Sequence, residues 1–194
     1  MWRLAIRALV CGCSLYGAVA RAGNPPGLGD EWHWSLYVGR YTDTRFVDII
    51  RGDTAFKDSH VGAVMVSRKV ADWPPYADWA VEAGVARHWG LQQHYEVNAA
   101  IMLRLVPWPR AEYWRLHAGL GIGPSWASAT PQVERARGGR TSRRLLFMPF
   151  EVELGPAHGR AALFARVHHR SGGFDVFSRG RGSNFVAVGG RFTW

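Results

Sequence analysis

Strict alternation of apolar and polar residues, repeated through eight separate segments, is the feature that most constrains this sequence. In HYEVNAAIMLRL, Tyr95, Val97, Ala99, Ile101, Leu103 and Leu105 share one parity, and Glu96, Asn98 and Arg104 share the other. Trp32, Trp34, Leu36 and Val38 open the series; Val186, Val188, Gly190, Phe192 and Trp194 close it. A period of two is the signature of β-strands, because successive side chains leave opposite faces of the pleat. The polar parity carries Glu82, Glu96, Arg104, Arg115, Glu151, Glu153, Arg166 and Arg191. A soluble sandwich turns its apolar face inward and leaves such charges in water. A small membrane barrel inverts that, with apolar residues toward lipid and ion pairs inside.

The connections agree with the inverted reading. Tight turns are expected at 72–78, 107–112 and 155–159, long connections at 42–58, 126–143 and 171–183, and a short one near 89–92. Tryptophan and tyrosine gather at strand ends, as the two membrane interfaces favour. The fold class predicted is all-β, an eight-stranded antiparallel transmembrane outer-membrane β-barrel over residues 23–194. Short turns would lie in the periplasm and long loops outside.

Residues 1–22 read as a signal peptide. Arg3 and Arg7 precede an apolar centre from Ala8 to Val19, and Ala20-Arg21-Ala22 offers a small-x-small cleavage site. Cys11 and Cys13 both lie in this leader, so the exported chain would have no disulfide. The formal net charge is +9, and Lys57 and Lys69 are the only lysines. Arginine grips phosphate and carboxylate bidentately. On an exported chain that points to an anionic surface, such as phosphorylated glycolipid, more than to nucleic acid.

RVHHRSGG, residues 166–173, carries the chemistry. Continuing the parity of Ala161, Leu163, Ala165 and Val167 sets His169 and Ser171 on the outer wall, with Arg166, His168 and Arg170 inward. The adjacent histidines diverge, so no metal site is expected of them. A serine and an imidazole two residues apart on one face are the minimum for nucleophilic acyl transfer. A wet loop with no chemistry remains the other reading of the same residues.

Arg166, His169 and Ser171 resemble the Arg-x-x-His-x-Ser run that closes the seventh strand of PagL-type lipid A 3-O-deacylases, within the acyloxyacyl hydrolase family. The segment NAAIMLRLVPWPRAEYWRLHAGLGIGPSWAS is also similar to that family's paired central strands. The resemblance implies an outer-membrane esterase without cofactor or metal, acting on lipid A, with Ser171 as nucleophile and His169 as base. Where the family has a catalytic glutamate this chain has Asn184, and where it has an oxyanion-holding asparagine this chain has Gly172. Asn184 could still orient the imidazole, the amides of Gly172 and Gly173 could supply oxyanion donors, and Asp175 is an alternative third residue. Arg143, Arg144 and Arg170 are candidates for holding the phosphorylated headgroup, with Arg135, Arg137, Arg140, Arg179 and Arg181 on the same rim. Two readings stay open: a hydrolase of an ester-linked acyl chain, or a catalytically silent barrel with a structural or lipopolysaccharide-binding role.

Overall fold

The computed structural model describes residues 32–73, 76–105, 112–137, 141–173 and 182–194. The leader, Asp175, Arg140, Arg179 and Arg181 lie outside the described residues. Eight antiparallel strands close into one barrel in sequence order. They are β1 (Trp32–Thr42), β2 (Phe56–Trp73), β3 (Ala77–Gly90), β4 (His94–Leu105), β5 (Trp114–Ala127), β6 (Arg144–Pro156), β7 (Ala161–Ser171) and β8 (Ser183–Thr193). β8 returns to pair with β1, from His33↔Thr193 to Thr42↔Asn184, so no sheet edge is left open. The strand ends that flank 43–55, 128–143 and 172–182 lie at one rim with the tight β3–β4 turn.

The two faces divide as the alternation predicts. Val64, Val81, Ile101, Leu120, Val152, Leu163 and Val188 stand exposed around the outside. Trp32, Trp73, Tyr76, Tyr113, Trp114 and Trp194 ring the turn end, while Trp89, Tyr95 and Trp126 mark the loop end. Inside, charges are paired. Arg166 grips Glu82 with two bonds at 2.8 and 2.9 Å and also donates to Glu151. Arg191 joins Glu151 at 2.9 Å and reaches Glu153. Arg166, Arg191, Glu82, Glu151 and Glu153 are all buried. Ion pairs of this kind are tolerated in a dry interior because each charge keeps several partners. An apolar exterior around a salt-bridged interior is the membrane-barrel arrangement.

Two short helices sit on the loop rim, neither legible as a period in the sequence. α2 (Gln132–Ala136) turns Val133 and Glu134 into the barrel mouth, where both are buried. Glu134 accepts from Arg170 Nη1 at 2.9 Å and from Ser183 Oγ at 2.9 Å, so the loop plugs the mouth. Burial pushes the Glu134 carboxyl above the ordinary carboxylate range, against the pull of the Arg170 guanidinium. α1 (Phe46–Ile50) lies instead against the outside, with the Phe46 ring 4.2 Å from that of Phe150 on β6.

Candidate active site on the outer wall of β7 and β8

β7 reaches the loop rim with its alternation intact. Ala161, Leu163 and Ala165 are exposed outward, while Ala162, Phe164, Arg166, His168 and Arg170 are buried inward. His169 and Ser171 therefore leave the barrel on its outer side, as the parity predicts. Both are only half-exposed, and so are the neighbouring outward residues Met148, Phe150, Val167 and Val186; Leu146 and Asn184 are buried. Connection 43–55, with α1, covers this part of the wall. Its base is tied by Thr42 Oγ1, which donates to Ala55 O at 2.8 Å, and by Arg137, which donates to Asp43 O and Gly182 O at 3.1 Å each.

Asn184 faces His169 across the β7–β8 ladder and Thr42 across the β8–β1 ladder. Its Nδ2 donates to Thr44 O at 2.9 Å, which turns Oδ1 toward the imidazole. His169 Nδ1 meets that oxygen at 2.5 Å. An amide oxygen only accepts, so the proton resides on Nδ1 and the Nε2 lone pair is left for a proton from elsewhere.

Ser171 completes the group in position but not in hydrogen bonding. Among the described residues no hydrogen bond joins its hydroxyl to His169; Ser171 Oγ instead accepts the Gly173 N–H at 3.1 Å. Gly173 makes that turn with φ of 64°, in the left-handed region that favours glycine. In this arrangement the Gly173 amide is committed to the Ser171 hydroxyl and would have to leave it before donating elsewhere. Gly172 lies beside it, buried.

The expected headgroup arginines separate into two kinds. Arg143 and Arg144 are exposed and line an open polar pocket with Trp126, Thr130, Thr141 and Ser142. Arg143 stacks its guanidinium 5.1 Å above the Trp126 ring and donates from Nε to Ala127 O, which leaves its other donors facing solvent. Arg170 is a correction. It is 1 % exposed and spends its guanidinium on Ser125 Oγ, Glu134 and Arg143 O inside the barrel. Its inward parity already excluded contact with an outer-leaflet headgroup. Arg137 is likewise a clip between loops, while Arg135 is exposed.

The two adjacent histidines diverge as expected. His168 is fully buried, with Nδ1 2.7 Å from Tyr37 Oη and Nε2 3.1 Å from Glu96. Unanticipated by the sequence reading, His88, His94 and Glu96 meet inside the mouth, each offering one ligand atom within 4.8 Å of the others. Their common inward parity was the available signal.

No protein-family model matches the sequence, and no curated protein matches it. Among solved structures, the crystal structure of the outer membrane enzyme PagL matches with a TM-score of 0.60 at 15 % identity, over 82 % of this chain and 98 % of that one. The chain shares the PagL barrel fold. At this identity the likeness concerns the fold, so the chemistry of the β7–β8 wall has to be argued from the chain's own residues.

Proposed function

We propose that this chain is an outer-membrane hydrolase that removes an ester-linked acyl chain from lipid A or another outer-leaflet lipid. The observation that carries the reading is the His169–Asn184 hydrogen bond on the lipid-facing wall, two residues from Ser171. With Nδ1 protonated and held, His169 Nε2 takes the Ser171 proton as Oγ attacks the ester carbonyl carbon. The amide of Gly172, joined by that of Gly173 once it leaves Oγ, donates to the developing oxyanion. Collapse of the tetrahedral intermediate breaks the ester C–O bond, and the imidazolium returns its proton to the departing alcohol. Water, deprotonated by the same nitrogen, then frees the fatty acid and restores Ser171. Asn184 orients the ring but carries no charge to stabilise the imidazolium, so the base is weaker than one backed by a carboxylate.

The long loops are then external, the exposed belt faces lipid, and Arg143 with Arg144 sits at headgroup height to meet phosphate. Incubation of the purified barrel with an alkyl fluorophosphonate tests the nucleophile. The expected result is one adduct on Ser171, absent in His169→Ala; a folded protein that takes no label contradicts the esterase reading. A second reading, a silent lipopolysaccharide-binding barrel, is favoured by the hydrogen bond that ties Ser171 Oγ to Gly173 in place of His169. It requires lipopolysaccharide binding through Arg143 and Arg144 without any adduct.

A further inference from the structure

We propose that His88, His94 and Glu96 form a site for a borderline divalent cation such as Zn2+, built on the β3–β4 hairpin inside the barrel mouth. The hairpin brings the ligands together. His88 and His94 are directly opposed partners in the ladder, and Glu96 follows His94 on the same inward face. The tight reversal depends on Gly90, whose φ is 93° and where a Cβ would come within 2.4 Å of Asp58 O. The spacing His-x5-His-x-Glu is thus one local unit, two imidazoles and a carboxylate, the donor set of an open three-ligand zinc site.

Unused hydrogen-bonding capacity points to a ligand. His94 is 6 % exposed and its Nε2 has no partner among the described residues, although a buried imidazole nitrogen is ordinarily satisfied. Gln92, 2 % exposed, likewise leaves Oε1 unpartnered while its Nε2 stands 3.1 Å from His88 Nδ1. A half-turn of that amide would present Oε1 to a His88 Nδ1–H and free the His88 Nε2 lone pair. This is how an outer hydrogen-bond partner fixes the tautomer of a metal-bound histidine. The division of Glu96 fits as well. Oε1 is occupied by His168 Nε2 at 3.1 Å and Ser125 Oγ at 2.9 Å, with Arg170 Nε at 3.6 Å. Oε2 has only His88 Nε2, at 2.8 Å.

Charge favours a cation there. Arg170 is shared between Glu96 and Glu134, two buried carboxylates for one guanidinium. Glu96 thus has only a share of one guanidinium, at 3.6 Å, which leaves its Oε2 side open to a further cationic partner. The two rings stack with centroids 4.3 Å apart and 12° between planes. Ligand atoms on tetrahedral zinc stand about 3.3 Å apart, so binding draws the ring nitrogens together and replaces the His88–Glu96 hydrogen bond.

The test uses the full tag-free barrel in detergent, stripped with chelator and titrated with ZnCl2 by calorimetry and with Co2+ by visible absorption. One Zn2+ per chain is expected, with intense visible bands from Co2+ bound to nitrogen. His94→Gln, which removes no hydrogen bond among the described residues, should abolish both, and Gln92→Ala should weaken binding about tenfold or more. Heat-modifiable migration checks that each variant is folded. Absence of stoichiometric uptake by the wild-type barrel overturns the proposal, and so does equal uptake by folded His94→Gln. If His94→Gln fails to fold, Gln92→Ala decides: unchanged affinity there overturns the site.

Discussion

His169 Nδ1 and Asn184 Oδ1 stand 2.5 Å apart on the outer wall, and Thr44 O fixes which end of the Asn184 amide faces the ring. The tautomer of His169 is therefore set by a carbonyl in connection 43–55, on a segment remote from β7 in sequence. In the esterase reading, replacing Asn184 with Ala should lower kcat on the order of a hundredfold with little change in KM, because His169 loses its orientation but the substrate keeps its contacts. Asn184→Asp keeps an acceptor for Nδ1 and adds charge, so it should recover most of that loss. It also sets a carboxylate oxygen against Thr44 O and should loosen the loop. A rise in KM along with the fall in kcat, unrescued by Asp, would mark Asn184 as merely structural.

The Phe46–Phe150 ring contact seats the cover over the site against β6. Phe46→Ala should leave the barrel folded but expose connection 43–55 to trypsin at Arg45 and Arg51. Val47, already more than half exposed, should tolerate Ala without faster cleavage. Time courses of cleavage on folded protein in detergent decide this, and equal rates for the two variants would show that the ring contact does not hold the loop.

The two faces of the barrel wall should respond oppositely to charge. Arg166→Met removes both hydrogen bonds of buried Glu82 and leaves Glu151 to Arg191, and should cost about 3–5 kcal/mol, the range for breaking a buried pair from one side. Val188→Arg places charge on the outer wall near mid-strand and should cost about 2–4 kcal/mol in a bilayer. Urea unfolding in lipid vesicles measures both. A neutral Val188→Arg would contradict a lipid-facing β8.

Much of this architecture was legible in the sequence because a barrel repeats one rule eight times. Glu82, Glu96, Arg104, Glu151, Glu153, Arg166 and Arg191 face inward as their parity required, and His169 and Ser171 face outward. The same rule, applied to Arg170, would have removed it from the headgroup set. What alternation does not encode is how irregular loops return to the wall. FVDII became a helix packed on Phe150, and QVERA became a plug whose Glu134 pairs with Arg170, because buried charge in the mouth and bare apolar wall each selected a partner. The meeting of His88, His94 and Glu96 required knowing that the strands reverse at Gly90, which sets the register of the hairpin.

Headgroup recognition should separate from chemistry. Arg143→Ala with Arg144→Ala removes two exposed guanidiniums and should weaken binding to anionic vesicles about thirtyfold, at about 1 kcal/mol per surface arginine. In the esterase reading KM should rise while kcat holds, and the difference from the parent should shrink at high salt. Vesicle sedimentation at two ionic strengths supplies the comparison. Unchanged affinity at low salt would remove this pocket from substrate binding.

The most direct measurement is mass spectrometry of lipid A from cells making the parent chain, Ser171→Ala or His169→Ala at matched levels in the outer membrane. The expected result is loss of one ester-linked acyl chain with the parent and intact lipid A with both variants. Loss of the same chain with either variant would contradict the Ser171–His169 mechanism. Intact lipid A with a well-inserted parent would contradict lipid A as the substrate.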